Sequence, residues 1–457
     1  MSDPGRFSDS FPHDARAILR FAGPLAVNNL VLGGMMLTNT VMAGRLGPGP
    51  LAGVAVGGSY YQMFWLFGLG TLMSISPIVA HAYGGGRDEE VGRRFRQGLW
   101  LSQMLAVPLV GALLCVVPVL EWFGTDPRAI PHASGYVHAM CFGMPAMLAF
   151  LAHRYTSEGL GWTRPVMYTA LVGLSVNLAG NLLLTRGSMG IPSLGATGCG
   201  IATALAYWSM LATMHVYQRR HAIYARFRLF ERFEHPDPRA LREILSLGLP
   251  IAGSVVSEGG LFAVAALLMS TLGEEIVAAH QIAINYGALM FMIPLSLHSA
   301  TTIHVGHQAG RGDAAAARLA GWAGIAMCGM IMALSSLVIL SARHGIAAAY
   351  TSDPGVQALA AYLLLFVAIF QVPDGLQVGS AGALRGFKDA KVPMALNFTA
   401  YWLLGFPLAW WFGIHRHVGP AGIWAGLIAG LFSCAVLLIW RYERTSRHAV
   451  VAQSSSR

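Results

Sequence analysis

Stretches of roughly 20 or more residues with hardly a charge recur along the whole chain, and each is long enough as a helix to cross ~30 Å of hydrocarbon. Reading apolar runs between polar breaks predicts spans at about 17–43, 51–81, 95–118, 132–153, 165–185, 194–216, 243–271, 276–304, 318–341, 356–383, 393–413 and 418–440. No segment alternates like a barrel strand. With 55% hydrophobic and only 11% charged residues in 457, the balance excludes a water-soluble protein of this size. The expected class is an all-α integral membrane protein with twelve transmembrane helices. The first residues, MSDPGRFSDSFPHDARAILR, lack the apolar core of a cleavable signal. The cysteines Cys115, Cys141, Cys199, Cys328 and Cys434 show no CxxC spacing and read as small core residues.

Charge sets the orientation. With both termini on the cytoplasmic side, all of the 30 Lys and Arg residues lie on that side except Arg45, Arg128, Arg186, Arg343 and Arg416. Such a bias predicts N-in, C-in topology. The net charge of +9 is then explained by anionic lipid headgroups, and nucleic acid is not an expected partner. No feature calls for an oligomer, so a monomer is expected.

A shift of 226 residues superimposes the chain on itself. It pairs Arg16 with Arg242, Ile18 with Ile244, Pro24 with Pro250, Leu46-Gly47 with Leu272-Gly273, Tyr60 with Tyr286, His81 with His307, and Gly84 and Gly86 with Gly310 and Gly312. Further on, GATG at 195–198 echoes GPAG at 419–422. The reading is two pseudo-symmetric six-helix lobes, 1–216 and 242–441, with a cytoplasmic linker at 217–241 and a polar cytoplasmic tail at 442–457. Six spans per lobe make both lobes enter from the same side, an arrangement suited to alternating access at a site between them.

The segments GRLGPGPLAGVAVG, AYGGGRDEEVGRRFRQGLW, LGLPIAGSVVSEGGLF, LGEEIVAAHQIAINYGALMFMIPLSL, TIHVGHQAGRGD and GALRGFKDAKVP resemble the multidrug and toxic compound extrusion (MATE) family, within it the NorM-like branch. The likeness covers nearly the whole chain. It implies a MATE/MOP-type fold and a secondary antiporter that extrudes bulky organic cations against inward flow of Na⁺ or H⁺. A lipid-linked precursor flippase of the same superfamily is the alternative, disfavoured because its pyrophosphate cargo requires basic side chains at membrane depth. An enzyme is not expected: neither a nucleophile–base pair nor a Walker motif is present.

Two acids fall deep inside the predicted spans, Glu258 in the seventh and Asp374 in the tenth. An unpaired carboxylate in hydrocarbon costs several kcal/mol unless it holds a proton or a cation, so such residues are functional by default. Pro373 removes a backbone donor and frees a carbonyl one turn earlier, giving spare oxygen for a hard cation. Both acids break the internal symmetry: Glu258 pairs with Leu32 at the shift of 226, and Asp374 with Ala146 when Pro373 is set against Pro145. The resemblance points to the same two positions as the coupling-ion site, with Na⁺ or H⁺ as the only cofactor-like species.

The resemblance also fits Asn177 and Asn181, but Asn39 stands where many relatives carry an acid, so a protonation switch there is impossible. The three amides either line the cavity or join helices. Tyr60, Tyr286 and Met290 are candidate contacts for a flat, greasy cation. Gln281 and Asn285 are candidate polar partners of Glu258. His298, His304 and His307 suggest a metal site only weakly, since His307 repeats as His81, and a structural role is favoured.

Overall fold

The computed structural model describes residues 4–187 and 192–455. Among the described residues there is no strand, and 12 helices are long and apolar enough to cross a membrane. They are α1 (Phe11–Gly44, with the helix itself beginning at Pro4), α2 (Pro48–Gly84), α3 (Asp88–Leu114), α4 (Ile130–Gly159), α5 (Arg164–Thr185) and α6 (Gly195–Arg220). After the linker come α7 (Pro238–Ser270), α8 (Glu274–Gly310), α9 (Ala314–Tyr350), α10 (Pro354–Gly386), α11 (Lys391–His415) and α12 (Pro420–Ser455).

Each predicted span has its helix, and several helices outrun the prediction. α9 continues to Tyr350, and α12 runs through the polar tail to Ser455. The tail stays helical because it is tied down: Arg318 on α9 holds Glu443 at 2.7 Å, and Gln453 accepts from the Ala314 N–H at 2.9 Å. An apolar window sees the hydrocarbon and not the turns that project beyond it.

Some helices are locally reshaped. α2 breaks at Met73–Ser74, where the Ser74 hydroxyl donates to the carbonyls of Thr71 (2.8 Å) and Ile244 (3.0 Å). α5 ends in a π-helical turn at Asn181–Thr185, and α11 contains two more, at Thr399–Gly405 and Trp411–His415. Such turns are rare and tend to mark functional positions.

The backbone repeats as the sequence does. Gly47 and Gly273 start α2 and α8 with φ of 117° and 122°, while Gly86 and Gly312 share φ of 68° and 76°. Gly195 and Gly419, the first residues of the two echoing tetrapeptides, have φ of 57° and 75°. These values lie where a side chain is strained, so the glycines are required by the turns.

The contacts sort the chain into two compact units. One holds residues 24–252; the other holds residues 253–457 together with the chain's first segment, up to Gly23. The boundaries therefore fall inside α1 and α7. They differ from the 1–216 and 242–441 division read from the repeat, because contacts follow packing and the repeat follows connectivity. In the second unit Ile18 and Ala22 pack with Leu297, Ala300, Ala323 and Met327 of α8 and α9. The first unit does the equivalent with the start of α7, where a Cβ on Gly248 would lie 2.2 Å from the Thr71 carbonyl oxygen. Within the units α4 packs on α2, α3 and α6, and α10 packs on α8, α9 and α12.

The 217–241 segment is folded onto the first unit. Gln97 donates to the His235 carbonyl (2.9 Å) and accepts from the Asp237 N–H (2.8 Å), and Trp100 donates to the Glu234 carbonyl (2.8 Å). Asp237 accepts from the Arg239 N–H at 2.9 Å at the start of α7. That N–H first, and then the Arg93 guanidinium, hold its carboxyl below the usual range. Its contribution to folding is therefore present at neutral pH and fades as acid carries the pH below ~4, the unfolded value, and through the folded one.

Candidate functional site

The central helix of the second unit carries a buried polar row. Gln371, Asp374 and Gln377 on α10 are 1%, 3% and 2% exposed, and a spacing of three places them on adjoining positions of one face. Facing chemistry comes from three other helices. Glu258 (α7), Tyr401 (α11) and Cys434 (α12) all lie within reach of the Asp374 charge, and Tyr401 and Cys434 also sense Glu258. Arg385, nearer the end of α10, senses Glu258 as well.

The packing that brings these groups together is specific. The Trp402 indole donates to the Ser257 hydroxyl at 2.9 Å, fastening α11 to α7 one residue from Glu258. Gly260 lies against the same indole, which a Cβ would approach to 3.2 Å. Tyr401 sits in the π-helical turn of α11, and Cys434 donates to the Asn397 side-chain oxygen at 3.1 Å. Among the described residues, neither Glu258 nor Asp374 makes an ion pair or a hydrogen bond. The Gln371 amide, the Gln377 carbonyl oxygen and the Tyr401 hydroxyl likewise have no partner of hydrogen-bond geometry.

The contrast with two other buried acids is informative. Glu158, 1% exposed, is held by Arg154 at 2.6 Å, and Asp14, 6% exposed, by His304 at 2.9 Å. These acids lie near helix ends, outside the predicted spans, and were not singled out from the sequence. Those two carboxylates are closed by a direct partner; Asp374, 3% exposed, and the partly buried Glu258 are not, Arg385 acting on Glu258 only at longer range. The two carboxylates, the phenol and the amide oxygens are all oxygen donors, the type that suits a proton or a hard cation.

A second polar cluster lies in the first unit. Asn39 on α1 donates to the Thr203 hydroxyl at 2.8 Å and accepts from Asn177 (3.3 Å) and Asn181 (2.9 Å). Thr185 donates to the Asn181 side-chain oxygen at 3.1 Å, from the π-helical turn that ends α5. Every member is buried, and the Asn177 side-chain oxygen alone keeps no partner. The sequence did not single out Thr203 or Thr185, which look like ordinary hydroxyls in apolar helices.

This network makes Asn39 a hub. Asn39→Ala is expected to take one acceptor from each of the Asn177 and Asn181 amides, which keep the Thr203 hydroxyl and the Asn177 carbonyl, and to lower stability by roughly 1–3 kcal/mol. A thermal unfolding scan of the purified variant, compared with a surface substitution such as Arg219→Gln, measures it. An unchanged midpoint would mean that the amides contribute nothing as a joint between helices.

The remaining candidates are dispersed. Tyr60, in the first unit, donates its hydroxyl to the Ala112 carbonyl at 2.7 Å and meets Phe64 edge to face. In the second unit Tyr286 packs against the main apolar cluster, and Met290 is half-buried. Gln281 is exposed, and Asn285 donates to the Gln281 carbonyl of its own helix at 2.8 Å. Neither bonds to Glu258, since polarity alone carries no information about the face of the helix on which a side chain lies. The histidines do not gather: His298 bonds the Val378 carbonyl (2.8 Å) and Arg385 (2.9 Å), His304 bonds Asp14, and His307 meets Phe21 edge to face. No cluster able to hold a metal through His, Cys, Asp and Glu ligands occurs among the described residues.

Comparison with known proteins agrees with this frame. The MatE family model matches residues 24–183 and 250–411. A probable multidrug resistance protein NorM of Xanthomonas campestris pathovar campestris is 43% identical over 437 residues, covering 96% of this chain and 95% of the relative. A multidrug resistance protein NorM of Vibrio vulnificus is 37% identical over 432 residues, covering 94% and 95%. Among solved structures, the eukaryotic MATE transporter AtDTX14 matches with a TM-score of 0.88 at 18% identity, over 97% of this chain and 100% of that one. An outward-facing multidrug resistance MATE family transporter matches with a TM-score of 0.86 at 19% identity, over 97% of each chain. These two structures speak to the fold.

Proposed function

Because the chain belongs to the MATE family of membrane transporters, we propose that it is a multidrug efflux antiporter, not an enzyme, and that Glu258 and Asp374 hold its coupling cation. The cargo is a hydrophobic organic cation, exchanged for Na⁺ or H⁺ by alternating access. The location is the bacterial inner membrane with both termini cytoplasmic, as the distribution of Lys and Arg favours.

One observation carries the coupling assignment. Glu258 and Asp374 lie within electrostatic reach of each other in the second unit, and among the described residues neither is closed by an ion pair, Arg385 acting on Glu258 only from farther off, whereas Glu158 is closed by Arg154 and Asp14 is bonded to His304. A carboxylate pair in that position is stabilised by whatever positive species it takes up, so its occupancy is set by the ion gradient. Cargo of the same charge sign competes for that compensation, and linkage makes the antagonism reciprocal. Tyr286 and Met290 are the aromatic and thioether candidates for contact with the cargo in the second unit, and Tyr60 is the aromatic candidate of the first. Asn39, Asn177 and Asn181 are the neutral polar candidates of the first unit.

Uptake of a fluorescent organic cation into inside-out proteoliposomes, with ΔpH or ΔNa⁺ imposed separately, tests the reading. Uptake is expected to follow one gradient and to collapse when that gradient is dissipated. Uptake indifferent to both would reject antiport.

A further inference from the structure

A cleft of about 330 Å³ opens where the start of α3 meets the 221–237 segment, in the first unit. Five arginines line it: Arg93, Arg94, Arg96, Arg228 and Arg232. Three carboxylates share the lining, but two are already engaged, Glu90 by Arg87 (2.7 Å) and Arg94 (3.1 Å) and Glu234 by Arg96 (2.6 Å). The third, Glu89, is exposed. Arg93 and Arg94 are in turn paired with Asp237 and Glu243. The cationic surplus therefore rests on the other wall: Arg228 makes only a loose pair with Glu231 at 3.4 Å, and Arg232 makes none among the described residues.

The wall is built, not draped. Gly92 on α3 lets the linker backbone approach so closely that a Cβ there would lie 2.2 Å from the Phe227 carbonyl oxygen. Arg228 is held in the left-handed region at φ 50°, with its carbonyl accepting from the Arg96 guanidinium at 2.8 Å. In the floor, the Nε–H groups of Arg94 and Arg96 are buried without an acceptor among the described residues. Beside the cleft Phe233 is 78% exposed and meets the Trp100 ring edge to face at 6.0 Å, on the stretch of α3 that enters the apolar span.

Orphaned guanidinium donors, one unpaired and one loosely paired arginine and an exposed aromatic side chain at the edge of a membrane helix describe a phosphate bound on one side and an acyl chain on the other. We propose that this cleft binds the phosphate of an anionic phospholipid headgroup, with Phe233 against the adjoining chain. Arginine suits the task because its planar fork meets phosphate oxygens in pairs. The shared chemistry with a free phosphate ester is the phosphate alone; Phe233 favours the lipid.

The test uses the full-length protein in detergent, titrated with dioleoylphosphatidylglycerol and followed by native mass spectrometry. Arg228→Gln/Arg232→Gln is expected to weaken binding by about tenfold or more, while Arg219→Gln/Arg220→Gln, an equal charge loss at the end of α6, changes it far less. Phe233→Ser should weaken the lipid and leave glycerol 1-phosphate unaffected. Displacement of the lipid by millimolar glycerol 1-phosphate, lost in the Arg228→Gln/Arg232→Gln variant, would keep the phosphate site and assign it to a soluble ligand. Equal lipid binding by all proteins, or equal loss in the Arg219→Gln/Arg220→Gln control, overturns the proposal. Circular dichroism of each variant confirms that folding is intact, as expected for exposed side chains.

Discussion

Glu258→Gln is expected to reduce gradient-driven uptake to the level of empty liposomes while leaving the protein folded in the membrane. The amide has nearly the shape of the carboxylate but can neither release a proton nor neutralise a cation, so it fixes the site in one charge state. Cargo binding is expected to survive and to stop responding to Na⁺ or to pH, since the coupling free energy between the two ligands has lost one of its terms. Asp374→Asn, 3% exposed and on the central helix of its unit, should behave alike. Measuring cargo affinity at two ion concentrations in wild type and both variants separates this from misfolding. If either variant keeps a wild-type response to the gradient, that carboxylate is a packing group and the assignment of the pair fails.

The second large effect is structural. Glu158→Gln leaves Arg154, 6% exposed, without the carboxylate that holds it at 2.6 Å. Breaking a buried pair from one side strands a charge and typically costs about 3–5 kcal/mol. The expected result is a lower unfolding midpoint and reduced yield of the purified protein, with coupling in the surviving fraction unchanged. The double variant Arg154→Met/Glu158→Leu, which removes both charges, should recover much of the loss. A fully stable Glu158→Gln protein would mean that Arg154 finds other compensation.

The spans were legible because length and apolarity suffice to place a helix in hydrocarbon, and the repeat because its turns need the same glycines in both halves. Helix ends were less legible, as α9 and α12 show, since polar turns beyond the lipid are held by contacts such as Arg318 with Glu443. Glu258 and Asp374 stood out singly. The row Gln371–Asp374–Gln377 was also visible as a spacing of three and was missed by reading acids alone. Tyr401 and Cys434 could not be found: apolar residues on every side of a membrane helix erase the periodicity that would say which face of α11 or α12 meets α10. The same lack of contrast made Gln281 and Asn285 look like partners for Glu258.

The membership of the first 23 residues in the unit formed by residues 253–457 bears on how the protein is made. Translation delivers Ile18 and Ala22 at the outset, yet their packing partners Leu297, Ala300 and Met327 emerge only after nearly 300 further residues. At about 5–20 residues per second, that is an interval of roughly 15–60 s. Throughout it the beginning of the nascent chain waits at the membrane unpartnered, while the start of α7 meets α2 as soon as it is synthesised. Expressing the two sequence halves from separate messages would remove that order of events, and the first half would carry a segment belonging to the second.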